Sequence, residues 1–306
     1  MNLICPLCKG EPLTPALSDV RDLEYGMDGK FNFYGCPACN LLVLLPLPSL
    51  EDLKNAYPDD YHGFHTSETR VISYLYRLLY FFRLGEYKQL IGEKGNLLDI
   101  GCADAYYFDL LKQRFPKINP YGIELKDEIA EKGRKKGRNI TTGTIDNFVS
   151  GIKFDLIIMN NLIEHVLDPV KELERAKSFL KPEGYIVIET PNKDSWDYIL
   201  MKKFWGGLHA PRHTYIFSTS SLNDLVSKSG FKLVKTNFLL NTDHWALSIQ
   251  NFLQSTMVFC ANLENGRAWY YKYLLFLFLP LNILQFLFRK TGSIKMVIKK
   301  HETSGS

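Results

Sequence analysis

Four of the six cysteines fall in two C-x-x-C spacings near the start of the 306-residue chain: Cys5 and Cys8 in CPLC, Cys36 and Cys39 in CPAC. Two such pairs in one short segment can supply four thiolates to a tetrahedral zinc ion, as a zinc ribbon does. A redox C-x-x-C would stand alone beside a βαβ unit, whereas both pairs here precede any such unit. Four thiolates leave no open coordination position, so the expected role is structural. Cys102 and Cys260 lack a partner at such a spacing and are expected to be inert.

Carboxylates, amides and imidazoles further along follow short apolar runs. In GNLLDIGCADAYYFDLL (95–111), Leu97, Leu98 and Ile100 read as a buried strand, Gly101 as a tight turn, and helical spacing resumes at Tyr107. A strand feeding a turn at a helix N-terminus is how α/β folds hold a nucleotide. The ends of successive strands carry Asp99 and Gly101, then Glu124, then Asp146, then Asn160 and Asn161. Glu124 lies 25 positions after Asp99, near the spacing at which a carboxylate meets ribose hydroxyls. The pyrophosphate pattern G-x-G-x-x-G is absent, with Ala103 and Ala105 where further glycines would stand, and no GKS or GKT marks a P-loop. The two alanines are expected to need only a small side chain at ordinary φ. His165, after Glu164, and His209 and His213, on either side of Ala210, Pro211 and Arg212, could act as bases near neutral pH. Packing at a helix start (His165) and loop architecture (His213) are the structural alternatives. Arg212 could clamp an anionic group bidentately.

These residues need strands and helices to hold them. Strands are expected at 97–100, 120–124, 154–159, 184–189 and 231–238, with helices at 105–114, 126–136, 169–180 and 219–229. The stretch 140–149 reads as a short edge strand and turn, LKPEGY (180–185) as a helix stop and turn, and SIKMVIKK (293–300) as a final strand. Strands alternating with helices imply a parallel, doubly wound sheet with right-handed crossovers. Before it, 41–45 reads as an apolar strand, Ser49 with Asp52 as a helix start, and 71–84 as a helix packed on the core. The resulting division is a ribbon and connector over 1–62, a core over 63–238, a hydrophobic helical insert over 239–292, and a final strand and tail over 293–306.

That insert is far longer than a compact α/β connection needs. Its stretch 273–288 runs 16 residues without a charge. This is short of the roughly 20 needed to span a bilayer, and Pro280, Asn282 and Gln285 interrupt it. Aromatic residues at one end and Arg289 and Lys290 at the other suggest an interfacial or re-entrant helix over 269–290, with a buried helix or a dimer interface as alternatives. Composition is ordinary for a globular protein, at 46% apolar and 23% charged, and the net charge of +4 does not imply nucleic acid. The charge runs EKGRKKGR (131–138) and KK (299–300) suit solvated faces. The N-terminus lacks a basic start followed by an apolar core, so the expected setting is the reducing cytoplasm, with peripheral contact at the inner face of the cytoplasmic membrane.

LLDIGCADAYYFDLL, YGIELKDE, FDLIIMNNLIEHVLDPVKELERAKSFLKPEGYIVIETPN and HAPRHTYIFSTSSLNDLVSKSGF together resemble class I S-adenosylmethionine-dependent methyltransferases. Within them the likeness is to a bacterial subgroup with an EHV turn after the fourth strand and, often, an N-terminal zinc ribbon. It covers 90–238 closely and 1–62 loosely. The resemblance implies a seven-stranded, mostly parallel, Rossmann-like sheet. It places Asp99, Gly101 and Ala103 around the cofactor's amino-acid portion and Glu124 on the ribose hydroxyls. Ile145 and Asp146 would meet the adenine, and Asn160 and Leu162 would line the methionine side. His165, His209 and His213 would stand beside the methyl donor and over the acceptor mouth. S-adenosylmethionine has no phosphates, which suits a turn without the pyrophosphate glycines. The implied activity is methyl transfer to oxygen or carbon of a small or lipid-linked acceptor, such as a sugar, a cell-envelope or a quinone-like intermediate. An RNA methyltransferase is the enzyme alternative, though no basic patch interleaved with aromatics surrounds the ribbon and the fourth strand ends in NNLIEH rather than an NPPY-type turn. A non-catalytic cofactor-binding scaffold at a membrane is the third reading.

Overall fold

Residues on one parity of each central strand pack to one side of the main sheet, and those on the other parity to the opposite side. The computed structural model describes residues 3–58, 70–256 and 261–301; the expected 62/63 boundary and Cys260 lie outside them. In chain order, β1 (Thr14–Val20), β2 (Phe31–Gly35) and β3 (Leu42–Leu45) lead to α1 (Leu50–Asn55) and α2 (Arg70–Ile91). Strands and helices then alternate through β4 (Gly95–Ile100), α3 (Tyr107–Arg114), β5 (Ile118–Glu124), α4 (Asp127–Arg134), β6 (Ile140–Thr142), β7 (Phe154–Asn160), α5 (Pro169–Phe179) and β8 (Leu180–Pro191). After α6 (Trp196–Met201), β9 (Tyr215–Ile216), α7 (Thr219–Lys228) and β10 (Phe231–Leu239) come α8 (Asp243–Ser255), β11 (Leu263–Glu264), β12 (Arg267–Ala268), α9 (Tyr271–Leu277), α10 (Leu279–Leu287) and β13 (Ser293–Lys300).

The main sheet has seven strands in the order β10-β13-β8-β7-β4-β5-β6. Its pairs from β8 through β6 are parallel, and β13 runs antiparallel to both its neighbours. Leu97, Leu156, Ile158, Val187 and Val297 pack under α2, α3 and α4 with Leu84, Tyr87 and Phe108. Leu98, Ile157, Met159, Ile186 and Ile188 pack on the other face with Leu173 and Ala176 of α5 and Leu222 and Leu225 of α7. Burial on both faces is what near-continuous apolar strands require. The chain winds from β4 outward through β5 and β6, then returns to β7 on the far side of β4. The β4–β7 border is therefore the switch point where doubly wound sheets hold ligands.

A second sheet, β1-β2-β3-β9, carries the cysteine segment. Its fourth strand comes from the far side of the chain, with Leu42 opposite Ile216 and Val43 opposite Tyr215. Cys5, Cys36, Cys39, Leu41 and Val43 share the core that underlies α5 and α7. Lys228 donates to Leu7 O at 2.6 Å and Ser220 to Cys39 O at 3.3 Å, which fixes the segment to α7. The helix start at Ser49 is a capping box: Asp52 N donates to Ser49 Oγ at 3.1 Å, and Ser49 N to Asp52 Oδ2 at 2.9 Å.

Several expectations shift. β8 begins at Leu180 rather than 184, because the register jumps from Phe154–Leu180 to Leu156–Tyr185 and residues 181–184 loop out of it. The apolar run of the insert forms two helices rather than one, parting at Phe278 with Pro280 in the first turn of α10. No helix of the described residues is long and apolar enough to cross a membrane.

The turn after β4 also departs from expectation. Gly101, Ala103 and Ala105 have φ of +77°, +49° and +52°, so the alanines occupy the left-handed region and not ordinary φ. Each alanine there costs about 1–2 kcal/mol against the right-handed form. The turn is held by Ala105 N donating to Cys102 O at 2.9 Å, Ala103 N donating to Glu124 Oε2 at 3.0 Å, and Arg138 donating to Asp104 O at 2.6 Å. Ala105→Gly should therefore raise the unfolding free energy by about 0.5–1 kcal/mol, the relieved strain less glycine's extra chain entropy, as measured by urea melting.

The loop before β9 is tied to the cysteine sheet by a buried ion pair. Arg212, wholly buried, meets Asp22 bidentately at 2.9 and 3.1 Å. Removing one partner of such a pair leaves a desolvated charge, which costs about 3–5 kcal/mol. Asp22→Asn should lower stability by about that amount in chemical denaturation. Asp19→Asn should leave it unchanged, because the Lys30–Asp19 pair is more than half exposed.

Candidate functional site

A cavity of about 1070 Å³ opens at the carboxyl ends of β4, β5 and β7. All eleven residues expected to hold the cofactor or do the chemistry line it: Asp99, Gly101, Ala103, Glu124, Ile145, Asp146, Asn160, Leu162, His165, His209 and His213.

On one side stand the strand ends. Glu124 closes β5 with both carboxylate oxygens engaged by backbone, Oε2 by Ala103 N at 3.0 Å and Oε1 by Lys126 N at 2.9 Å. Burial raises its pKa against those hydrogen bonds. Each oxygen keeps a second lone pair, so the carboxylate is fixed in place yet still able to accept. Asp99 is buried and accepts from Tyr107 OH at 2.8 Å. Burial pushes it up to about 7, although the Tyr107 hydrogen bond and Arg83 pull the other way. Gly101 lies so close to Leu162 that a Cβ there would sit 3.2 Å from Leu162 Cδ1, and its φ of +77° suits glycine as well. At the end of β7, Asn160 donates through Nδ2 to Tyr87 OH at 3.1 Å. Its Oδ1 is buried without a protein partner, an acceptor left for something else. Ile145 is buried, with its carbonyl accepting from Arg175 at 3.3 Å, and exposed Asp146 pairs with Lys171 at 2.9 Å. A buried hydroxyl-accepting carboxylate, a glycine cradle and an orphaned amide oxygen fit a nucleoside bearing an amino-acid arm.

The other side is a histidine cluster. The rings of His165 and His213 meet edge to face at 4.5 Å, and His213 meets His209 at 4.8 Å. His165 Nδ1 contacts Arg212 O at 2.9 Å and Tyr57 OH at 2.8 Å. A carbonyl cannot donate, so Nδ1 carries the proton and Nε2 keeps its lone pair. His213 Nδ1 likewise donates to Gly207 O at 2.8 Å. Burial lowers His165 to about 4 and His213 well below its usual value, so both rings are neutral at physiological pH. His209 Nδ1 lies 2.6 Å from Glu24 Oε1. Burial alone would raise Glu24, but His209, Arg267 and Arg212 outweigh it and hold the carboxyl well below the usual range. Arg212 does not clamp a ligand as the sequence suggested. Its guanidinium is wholly buried on Asp22.

Several wall residues escape motif reading. Glu164 is fully buried. Its Oε2 accepts from Thr190 at 2.9 Å, Oε1 has no partner, and burial pushes it up to about 8. His244, 3.6 Å from Asp197, and Arg267, 2.9 Å from Glu24, reach the cavity from the insert. Apolar length marked that insert, and nothing in its pattern shows which polar residues turn inward.

Away from the cavity, the sulfurs of Cys5, Cys8, Cys36 and Cys39 converge within 4.8 Å. Cys5–Cys39 and Cys8–Cys36 are 3.7 and 3.4 Å apart, too far for disulfides and near the roughly 3.8 Å edge of a tetrahedron with 2.3 Å zinc–sulfur bonds. Both pairs close alike, with Lys9 N on Cys5 O at 3.0 Å and Asn40 N on Cys36 O at 2.9 Å. Lys9 and Asn40 both take positive φ. The donor set fits a structural zinc ion.

The sequence profile of a family described as a methyltransferase domain matches residues 72–236. A trans-aconitate 2-methyltransferase from Rhodopseudomonas palustris is 23% identical over 138 residues, covering 44% of this chain and 53% of that protein. A ubiquinone biosynthesis O-methyltransferase from Actinobacillus pleuropneumoniae is 28% identical over 124 residues, covering 37% of this chain and 51% of its own length. The chain thus spans about half the length of these curated relatives. The solved structure of a candidate sarcosine dimethylglycine methyltransferase from Galdieria sulphuraria superposes with a TM-score of 0.51 at 15% identity, covering 80% of this chain and 91% of that one, which supports the fold. The profile takes in more than half of the sequence, including the carboxyl ends of β4, β5 and β7 that line the cavity, and the chain belongs to the methyltransferase domain family.

Proposed function

We propose that this chain transfers a methyl group from S-adenosylmethionine to an oxygen or carbon of a small or lipid-linked acceptor. The observation that carries the proposal is Glu124, a carboxylate pinned through both oxygens at the switch point of the sheet and still able to accept. When bound, the cofactor supplies an electrophilic methyl on a sulfonium. Glu124 would take the ribose hydroxyls, Asp99, Gly101 and Ala103 the amino-acid arm, Ile145 and Asp146 the adenine, and Asn160 and Leu162 the methionine side. In-line displacement from a sulfonium gains most from proximity and orientation. The neutral His165 and His213 can accept a hydrogen bond or proton from the acceptor, with His209 behind them. The relative named for O-methyl transfer favours oxygen.

The lipid-linked reading rests on α9 and α10, which together turn their apolar residues outward and the polar ones of α10 inward. Asn282 and Gln285 are buried, donating to Asn241 O at 2.9 Å and Asp197 Oδ1 at 2.8 Å. Phe276, Leu277, Leu287 and Phe288 are 75%, 69%, 70% and 61% exposed. An apolar face turned outward, with Lys272, Arg289 and Lys290 beside it, suits the boundary of an anionic membrane. We further assign the four cysteines to one structural zinc.

Calorimetric titration with S-adenosylmethionine tests the cofactor, and transfer of labelled methyl groups to a panel of hydroxy and carboxy acids tests the reaction. A chain that binds no cofactor would refute the proposal. Glu124→Ala should weaken cofactor binding about tenfold or more, the worth of charge-assisted hydrogen bonds. Affinity should also depend on pH through Asp99. Its carboxyl titrates at about 7 in the free chain, and the cofactor's ammonium needs it ionised. Binding should therefore be strongest above pH 7 and weaken as pH falls through 7, and Asp99→Asn should flatten that profile.

A further inference from the structure

We infer that Glu164, His165 and His213 form a binding site for a divalent transition-metal cation on the acceptor side of the cavity. One donor atom from each of the three lies within 4.8 Å of the others, which is the convergence a single ion needs. The hydrogen bonding around them is that of ligands awaiting a metal. Both histidines give their Nδ1 proton to a backbone carbonyl, Arg212 O at 2.9 Å and Gly207 O at 2.8 Å. Each ring is thereby fixed in orientation and tautomer with Nε2 left as a lone-pair donor, as metal-bound histidines are in proteins. Glu164 is oriented in the same way, with Oε2 accepting from Thr190 at 2.9 Å and Oε1 wholly buried with no partner.

A buried carboxyl oxygen without a partner is costly, and a cation arriving there would take the place of the proton that burial otherwise keeps on Glu164. Two neutral imidazoles and one carboxylate, with part of the coordination sphere open, suit iron, manganese, cobalt or zinc better than calcium or magnesium. The open positions face the cavity, because all three residues line it. This site is separate in kind from the cysteine cluster, whose four sulfurs close their own sphere. Resting on the methyl-transfer reading, the ion would bind an acceptor oxygen and increase its acidity. His165 and His213 then serve as ligands and not as bases.

The test is a cobalt(II) titration of the full chain after dialysis against chelator, followed by absorption spectroscopy. The thiolate site should show intense near-ultraviolet charge-transfer bands. A second equivalent should add weaker visible bands with no further charge transfer, as nitrogen and oxygen ligands give. Glu164→Gln, which keeps an acceptor for Thr190, and His213→Gln should each weaken that second equivalent at least tenfold and leave the thiolate bands intact. Those intact bands also report that each variant is folded. Uptake of cobalt at the thiolates alone would overturn the inference, as would a second equivalent that neither substitution weakens. S-adenosylmethionine titration of the same samples without metal keeps the two proposals apart, since cofactor binding can succeed where the second cobalt fails.

Discussion

Arg212 organises the histidine side of the cavity through both its ends. Its guanidinium has no contact with solvent and must be matched inside the protein. Asp22 does so bidentately, from the loop between the first two strands of the cysteine sheet. Its backbone carbonyl receives the Nδ1 proton of His165 and sets that ring's tautomer. The neighbouring residues extend the same arrangement, with His209 on Glu24 and His213 on Gly207 O. A buried charge that must stay paired thus fixes the loop, the loop orients the histidines, and the cysteine sheet is tied to the loop that carries them. This also gives a structural zinc ion a reason to matter at a distance, since it would hold the loop that carries Asp22 and Glu24.

The strand-end side of the cavity was legible in the sequence because it depends on local rules. Short apolar runs ending in Asp99, Glu124 and Asn160 are strands, strands alternating with helices make a parallel sheet, and such a sheet presents its carboxyl ends to a ligand. The acceptor side was less legible. His165, His209 and His213 could be named from residue type, but their tautomers and partners depend on contacts across large sequence separations, such as Arg212 with Asp22, 190 positions apart. The same guanidinium read as a ligand clamp for that reason: nothing local distinguishes an arginine that greets substrate from one spent on a buried aspartate. The strained alanines at 103 and 105 were missed because left-handed φ is signalled by glycine, and here the enclosing contacts hold alanine in glycine's place.

The insert failed in an instructive way. Asn282 and Gln285 looked like interruptions of an apolar run already too short to span a bilayer. In the structure they are the inward face: Gln285 donates to Asp197 at 2.8 Å and accepts from Trp245 at 2.7 Å, and Asn282 donates to Asn241 O at 2.9 Å. The phenylalanines and leucines are the outward one. Periodicity can show that a helix has two faces, but not which of them meets the protein. That is decided by whether the surface it packs on is polar, and here it carries Asp197, His244 and Trp205 Nε1.

The division of the cavity wall also bears on what its relatives can say about the acceptor. The residues of the cofactor side, from Asp99 to Leu162, all lie within the family match over 72–236. So do the three histidines and Glu164. The remaining wall does not: Leu50, Leu53 and Tyr57 come from before the match, and Asn241, Asp243, His244, Leu247, Arg267 and Ser293 come from after it. Alignments of 138 and 124 residues are shorter than the stretch from Leu50 to Ser293 that supplies the cavity lining, so these curated relatives match only part of the wall. In this chain the wall outside the match is built by α1, by Tyr57 just after it and by the outward-apolar insert, and its polar groups are Tyr57, Asn241, Asp243, His244 and Arg267.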